Sequence, residues 1–363
     1  YIAKDLKIGE LDAGAPELHA DSRYNLDNAF ITSNYSTSAD VMVLMVTTPP
    51  EQCVSYSVMD MMERLQWELN HTEGVQLSVS IVNISKTVTK AFNEGSYKWF
   101  ELSRNQKIID TSLQHAPASF INRDCSLAPI FVFLNDHKAD TLQRVVDTVE
   151  RYTSELYDSE GGISESSDEV KVLLAAGNAG IEVATNQIIE ASQTLMMVMV
   201  YSVVGLMVLF AYRSIRAVVC VVMPLMMTSV LCTALMAYLG IGVKVSTLPI
   251  IALGVGLGVD YGIYIYSRLE ELLDEGFTLQ RAYFHTLRST GKAVAFTGLT
   301  LAIGTTTWAF SPIKFQSDMG ILLTFMFLWN MLGSLTLLPM LSYYFIKDGE
   351  EDNLEVYGDI AKS

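Results

Sequence analysis

The residue with the clearest chemical potential is Asp260, an acid inside a long apolar stretch. It lies in GVGLGVDYGIYIYS, residues 254–267, and is the only acidic or basic residue in the five long apolar stretches of the chain. A charge at membrane depth costs about 2.5–3.5 kcal/mol on insertion scales, whereas a protonated carboxyl avoids most of that cost. The residue type and its position therefore predict a proton-binding site.

Hydroxyl groups near Asp260 could complete such a site. Tyr261 is next in sequence, and Tyr264 lies one helical turn further along the face of Asp260. Thr297 and Thr300, in the following apolar stretch, are the threonines expected nearest to it. Helical threonines more often bond to their own backbone one turn back, so that alternative stays open. A carboxylate with hydroxyls serves H⁺ or Na⁺ alike, so the coupling ion is also open.

The glycines around Asp260 have a separate predicted role in helix packing. Gly254, Gly258 and Gly262 recur at four-residue spacing and share one helix face, where small residues let another helix approach closely. Asp260 lies two positions from Gly258 and points elsewhere. The alternative interpretation of Asp260 is a neutral acid that only links helices. We favour the proton site because intramembrane acids usually mark ion or proton paths.

Five stretches of about 18 or more residues carry little or no charge, which is the length of a transmembrane helix. They predict an all-α transmembrane bundle of five helices over residues 191–346, followed by a cytoplasmic tail at residues 347–363. The predicted spans are residues 195–212, 217–239, 245–267, 293–313 and 319–346.

Charge divides the chain into two regions. Residues 1–190 hold 14 Lys+Arg and 28 Asp+Glu, which excludes the basic surface of a nucleic-acid-binding protein. The basic residues of the short loops cluster after the first and third spans, and such residues mark the cytoplasmic side. Residues 1–190 are therefore expected to be periplasmic or in an equivalent compartment, with a cytoplasmic C-terminus. These basic residues are Arg213, Arg216, Arg268, Arg281, Arg288 and Lys292.

Hydrophobic periodicity predicts two β-α-β units in residues 40–176, joined by a helical segment at 85–113. Two such units fit a four-stranded sheet with helices on one side. A flexible loop at 161–167 precedes the last strand, and a helix at 180–194 leads into the first span. The predicted strands are residues 41–47, 75–81, 128–134 and 170–175, and the predicted helices are residues 51–70 and 139–157.

Cysteine and histidine positions add little. Cys53 and Cys125 lie in the region expected to be exported, where oxidation is allowed, but spacing alone leaves their pairing open. No His/Cys spacing suggests a metal site, and no cofactor is expected. Ser, His and Asp occur in no recognisable nucleophile–base motif, so an enzyme is not expected.

Four motifs together resemble the resistance–nodulation–division (RND) superfamily. They are GVGLGVDYGIYIYSRL, a loop with Arg281 and Gly291–Lys292, then FTGLTLAIG, and SPIKFQSDMGILLTFMFLWNMLG. The resemblance is greatest to MmpL-type exporters of lipids and hydrophobic molecules and covers essentially the whole chain. It implies an α+β periplasmic porter domain with ferredoxin-like βαβ units, followed by the five spans. The family's Asp-Tyr proton relay corresponds to Asp260 and Tyr261.

The resemblance also implies partners. The family's transporters have two such halves and twelve spans, and this chain looks like the second half without its opening helix. The expected partners are the N-terminal half, with six further spans and a second porter domain, and membrane lipids or hydrophobic cargo. A homo-oligomer or a periplasmic accessory protein is a further expectation, and nucleic acid is not.

The expected function is proton-motive-force-driven export of lipids or other hydrophobic molecules across a bacterial inner membrane. Two alternatives share the architecture. One is a lipid-binding regulatory protein without a transport cycle, similar to sterol-sensing proteins. The other is an accessory of protein translocation. Lipid binding without proton flux would favour the first, and secretion that depends on the protein would favour the second.

Overall fold

The computed structural model describes residues 6–35, 38, 40–114, 116–158 and 170–345. The loop predicted at 161–167 and the tail predicted at 347–363 lie outside these residues. The chain divides into two compact units. We call Ile8–Ile189 the sheet domain, and Glu190–Ser363 with Tyr1–Lys7 the helix bundle.

The sheet domain contains one four-stranded antiparallel sheet in the order β2-β3-β1-β4. Strand β3 lies between β1 and β2, and β1 lies between β3 and β4, so each β-α-β unit is split by a strand of the other. The elements are α1 (Arg23–Asn34), β1 (Val41–Thr47), α2 (Tyr56–Asn70), β2 (Val75–Ser80), α3 (Ile81–Phe92), α4 (Gln106–Ser112), β3 (Leu127–Leu134), α5 (Ala139–Asp158) and β4 (Lys171–Ala176).

One face of the sheet forms the core of this domain. Strand β1 buries Met42, Leu44 and Val46, because alternate side chains of a strand point to the same face. Helices α2 and α5 contribute buried apolar residues to the same cluster. A disulfide joins Cys53 to Cys125, which answers the question that the spacing left open.

Two predicted helices in the sheet domain differ from the structure. The helix predicted from residue 51 begins at Tyr56, because Glu51 has a left-handed backbone (φ 66°) and Gln52 is bonded in a turn to Pro49. The segment predicted as helical at 85–113 is two helices, α3 and α4. Positive φ values at Glu94 and Gly95 end α3, and only a 3₁₀ turn, Tyr97–Trp99, lies between the helices.

Among the described residues, the helix bundle contains the five apolar helical segments that the sequence predicts, each long enough to cross a membrane; two of these segments consist of two consecutive helices each. The helix predicted at 180–194 and the first span are one continuous helix, α6. Short π-helical segments join α9 to α10 and α11 to α12. The helices are α6 (Gly177–Tyr212), α7 (Ile215–Leu239), α8 (Leu248–Asp274), α9 (Leu279–Thr286), α10 (Lys292–Thr306), α11 (Lys314–Leu332) and α12 (Leu338–Phe345).

Candidate functional site

Helix α8 packs one face closely against its neighbours through three glycines. A Cβ at Gly254 would collide with Met326 of α11. A Cβ at Gly258 would collide with Asn330 of α11, and one at Gly262 would lie 3.0 Å from Val221 of α7. The three glycines sit at four-residue spacing, so their side of α8 forms one continuous surface that α7 and α11 approach.

Asp260 lies on the opposite, exposed face of α8. Leu253, Leu257 and Tyr264 are exposed on the same face at helical spacing, and Tyr264 is 60% exposed. Within the described residues, the Asp260 carboxylate has no hydrogen bond or ion pair. The helices of this chain therefore leave the one acid in the middle of α8 uncovered.

Tyr261 points about 100° around α8 from Asp260 and is buried. It is 2% exposed and belongs to an apolar cluster with Val221, Ile265 and Val294. Its hydroxyl is buried and has no hydrogen-bond partner among the described residues. The two members of the Asp-Tyr pair are thus adjacent in sequence, but no hydrogen bond joins them in the described part of the chain.

The threonines of α10 that sequence reasoning set beside Asp260 are exposed. Thr297 and Thr300 both lie on the bundle surface, and Thr300 donates a hydrogen bond to the Phe296 carbonyl oxygen at 2.8 Å. Thr305 likewise donates to the Leu301 carbonyl oxygen. No hydrogen bond joins Asp260 to Thr297 or Thr300 among the residues described. Bonding to the preceding turn thus accounts for Thr300.

Asn330 of α11 is a buried polar residue that the sequence reasoning missed. Its Nδ2 donates to the Gly254 carbonyl oxygen at 2.8 Å, and its Oδ1 is buried without a partner among the described residues. Gly258 supplies the space that the side chain occupies. The available signal was an amide inside the apolar stretch 319–346, because such side chains commonly link transmembrane helices.

Asp318 is a second acid that the sequence reasoning missed. It is 8% exposed and lies in the first turns of α11. The adjacent Ser317 is also buried and donates to the Ala309 carbonyl oxygen at 2.9 Å. Asp318 was overlooked because the predicted span began one residue later, at Met319, whereas α11 begins at Lys314.

The sheet domain contains a buried acid–histidine centre, formed by Asp40, His137 and Glu182. His137 Nδ1 lies 3.0 Å from Asp40 Oδ1. His137 Nε2 and Glu182 Oε1 are both buried and have no hydrogen-bond partner among the described residues. These residues come from the start of β1, the β3–α5 connection and α6, so no local sequence pattern could reveal them.

The pKa of His137 is raised in this centre. Burial by itself lowers it, because a charged imidazole is less stable away from water. The hydrogen bond and negative charge of Asp40 raise the pKa of His137, and the charges of Glu182 and Glu10 raise it further. The net result is a histidine that holds its proton to a higher pH than an exposed one.

No group of three or more His, Cys, Asp and Glu side chains in the described part of the chain is arranged to hold a metal ion. The candidate site is Asp260 on the exposed face of α8, with Asn330 bonded to the glycine face of the same helix.

The architecture defines the class of protein as a multi-pass membrane protein, with an antiparallel sheet domain ahead of five apolar helices. A sequence model of the MMPL family matches residues 43–347. The chain belongs to the MMPL family, in agreement with the resemblance to MmpL-type members of the RND superfamily.

Three relatives show how the similarity is distributed. The membrane protein YdfJ of Bacillus subtilis (strain 168) is 30% identical over 87 residues, which are 24% of this chain and 12% of YdfJ. The putative membrane protein MJ1562 of Methanocaldococcus jannaschii is 23% identical over 169 residues, 47% of this chain and 44% of that protein. The probable trehalose monomycolate exporter MmpL3 of Mycobacterium leprae is 30% identical over 92 residues, 25% of this chain and 10% of MmpL3. The matched regions thus span less than half of each relative.

Proposed function

We propose that this chain is part of an RND-type transporter that uses the proton gradient to export lipids or other hydrophobic molecules. Membership of the MMPL family supports a transporter, and the printed name of one relative, a probable trehalose monomycolate exporter, supports a lipid-like cargo. The observation that carries the proposal is the position of Asp260, a single acid on the exposed face of a helix whose other face is closely packed.

An exposed acid at this depth needs a cover. Acids in membrane segments almost always face a bundle interior or a water-filled cavity, because contact with lipid tails is costly. The helices of this chain cover the glycine face of α8 and leave Asp260 open. We therefore propose that further transmembrane helices pack over Asp260, contributed by the N-terminal half of the same transporter.

The proton would act as a switch on that interface. A protonated Asp260 is compatible with an apolar contact, and an ionised Asp260 requires water or a polar partner. One elementary charge moved through about 100 mV releases about 2.3 kcal/mol, which is enough to bias two arrangements of the helices. Tyr261 is proposed as a positioning residue behind Asp260, since its buried hydroxyl has no hydrogen-bond partner among the described residues.

We propose that the sheet domain is the porter domain, with ferredoxin-like βαβ units, on the extracytoplasmic side. Its split β-α-β order supports this assignment, as does the cluster of loop arginines that the positive-inside rule puts in the cytoplasm. In this arrangement the cargo passes through or along the sheet domain, and only the proton passes Asp260.

The test is proton-coupled export by the full-length transporter in proteoliposomes with an imposed pH gradient. Asp260→Asn should abolish both proton flux and export, because an amide does not bind and release a proton at the pH values of the assay. Thr300→Val is the matched control, since Thr300 is exposed and bonds only to its own helix. Normal export by a folded Asp260→Asn protein would remove Asp260 from the mechanism. Lipid binding with no proton flux in wild type would favour a regulatory protein instead.

A further inference from the structure

A groove with an aromatic and basic rim lies on the sheet domain between α3 and α4. Its volume is about 370 Å³, near the lower end of the range for small-molecule sites. Phe92 and Ile108 form apolar walls, and Lys107 lies at the edge. The size favours a small ligand over a protein partner, since protein interfaces need about 800 Å² on each side.

The surface beside the groove is unusually apolar for an exported domain. Phe92 is 73% exposed, and Tyr97, Trp99 and Phe100 in the connection after α3 are exposed as well. The Tyr97 and Phe100 rings lie 6.4 Å apart, and large exposed apolar patches often mark binding sites. We call residues 86–112 the aromatic–basic segment.

Charge distinguishes this segment from the rest of its domain. Residues 86–112 hold five Lys+Arg and three Asp+Glu, whereas residues 1–190 as a whole hold 14 and 28. Lys98, Arg104 and Lys107 are exposed and form no ion pair in the part of the chain that the structure describes. A positive surface on an otherwise acidic domain selects for an anionic ligand.

The lysines of α3 hold the aromatic residues in place. Lys90 Nζ lies 3.7 Å from the centre of the Tyr97 ring, and Lys86 Nζ lies 5.3 Å from that of Phe100. Such cation–π contacts are favourable at these distances. The exposed aromatic rings are therefore ordered against α3.

The hydroxyls at the floor of the groove are already satisfied. Thr89 donates to the Ser85 carbonyl oxygen at 2.8 Å, and the Ser112 and Ser85 hydroxyls are 2.7 Å apart. The polar side chains left for a ligand are the Lys107 ammonium group and the amide oxygen of Asn93, whose Nδ2 donates to the Thr89 carbonyl oxygen. A matching ligand combines an apolar body with an anionic group.

We propose that the groove between α3 and α4 binds a single-chain anionic amphiphile, its carboxylate at Lys107 and its chain against Phe92 and Ile108. The inference rests on the proposed export function and gives its cargo a chemical class, an acidic lipid of the fatty-acid type. A charge-assisted hydrogen bond and the burial of an exposed aromatic ring are the two interactions that hold the ligand.

The test is photolabelling of the full chain, in nanodiscs of zwitterionic lipid, with a diazirine-bearing fatty acid, followed by mass-spectrometric mapping. Label should concentrate in residues 89–112. Phe92→Ser and Lys107→Gln should each reduce it about tenfold, the effect of one lost anchoring interaction. Phe30→Ser and Lys138→Gln are the controls, because Phe30 is exposed elsewhere on the sheet domain and the Lys138 side chain there is 43% exposed and pairs with Asp136.

Three results would overturn the proposal. The first is that the uncharged methyl ester of the probe labels residues 89–112 as strongly as the acid does. The second is that labelling is unchanged in both Phe92→Ser and Lys107→Gln. The third is that a polyglutamate peptide displaces the probe at a lower concentration than dodecanoate does. Asp260→Asn separates this proposal from the proposed function. If Asp260→Asn abolishes export and leaves the labelling of residues 89–112 intact, both proposals stand. If the wild-type protein exports its cargo but residues 89–112 are not labelled, only the groove assignment fails.

Discussion

Two acids in this chain are surrounded in opposite ways. Asp40 in the sheet domain has a hydrogen-bonded partner, His137, contributed by the same domain. Asp260 in the helix bundle has no such partner among the described residues and lies on the exposed face of α8. The sheet domain supplies a hydrogen-bond partner for Asp40, whereas the described helices of the bundle supply none for Asp260. An ionisable group of the second kind is suited to change state during a working cycle.

The sharpest test of this contrast is Asp260→Glu in the assembled transporter. Glutamate keeps a titrating carboxyl and moves it by about one bond length, so export should persist at a reduced rate, whereas Asp260→Asn should abolish it. Misplacing a reacting group by about 1 Å can cost about 100-fold. The measurement is the export rate against pH. Equal rates for Asp260→Glu and wild type at all pH values would contradict a geometrically defined proton site.

Asp40→Asn should destabilise the fold near His137 and should have no direct effect on proton flux, in contrast to the Asp260 variants. A hydrogen bond to a charged group contributes about 1.5–3 kcal/mol. Because the folded pKa of His137 is raised, its stabilisation is complete below its ordinary pKa of 6.5 and is lost as pH rises through the folded value. The cost of Asp40→Asn should therefore be largest in mildly acidic solution and shrink towards alkaline pH.

Hydrogen exchange of peptides covering residues 127–142 is the appropriate measurement, because it reports on the β3–α5 connection locally. The pH dependence of Asp40→Asn is compared with that of wild type over the same range, and Asp147→Asn, an exposed acid of α5, serves as the control. A cost of Asp40→Asn that grows with pH would contradict the charged Asp40–His137 pair.

The glycine face of α8 allows a comparison within a single helix. Gly258→Ala introduces a methyl group against Asn330 and Leu225, and should cost about 1–3 kcal/mol through overpacking. Gly256→Ala is the matched control, since a Cβ there meets nothing within 4 Å and alanine favours the helix. Thermal unfolding of the full chain in detergent measures both. Equal destabilisation by the two changes would show that the glycine face is not a packing surface.

The smallest expected effect is that of Asn330→Leu. The side chain donates one hydrogen bond to the Gly254 carbonyl oxygen, and such bonds between transmembrane helices average about 0.6 kcal/mol, with a maximum near 1.7 kcal/mol. We expect the free energy of unfolding in detergent to fall by an amount of that size. A loss several times larger would indicate that Asn330 organises the region around Tyr261 and Asp260 more widely.

Local patterns predicted much of the secondary structure. The short apolar runs VMVLMVT and APIFVFL were sufficient to find β1 and β3, because the composition of a short run is a local property. The start of α2 was predicted too early, since the left-handed Glu51 and the turn at Gln52 leave no hydrophobic signature. The same limitation concealed the break after α3 at Glu94.

The candidate sites were harder to predict. A lone acid in an apolar stretch is visible in sequence, but Asp40, His137 and Glu182 are separated by about 45 to 140 residues in the chain and meet only when the domain folds. Asn330 and Asp318 were visible as residues and were overlooked, because no pattern states which side of a helix will be buried.

The amino-acid sequence alone determined that five helices are long and apolar enough to span a membrane, and that a single acid lies in the middle of one of them. Both follow from composition within short windows, where the cost of exposing apolar groups to water or charge to lipid is set locally. Tertiary structure decided that Cys53 pairs with Cys125, that the glycine face of α8 is covered, and that the face carrying Asp260 is open. These depend on contacts between segments distant in sequence, which only the packing of whole elements brings together.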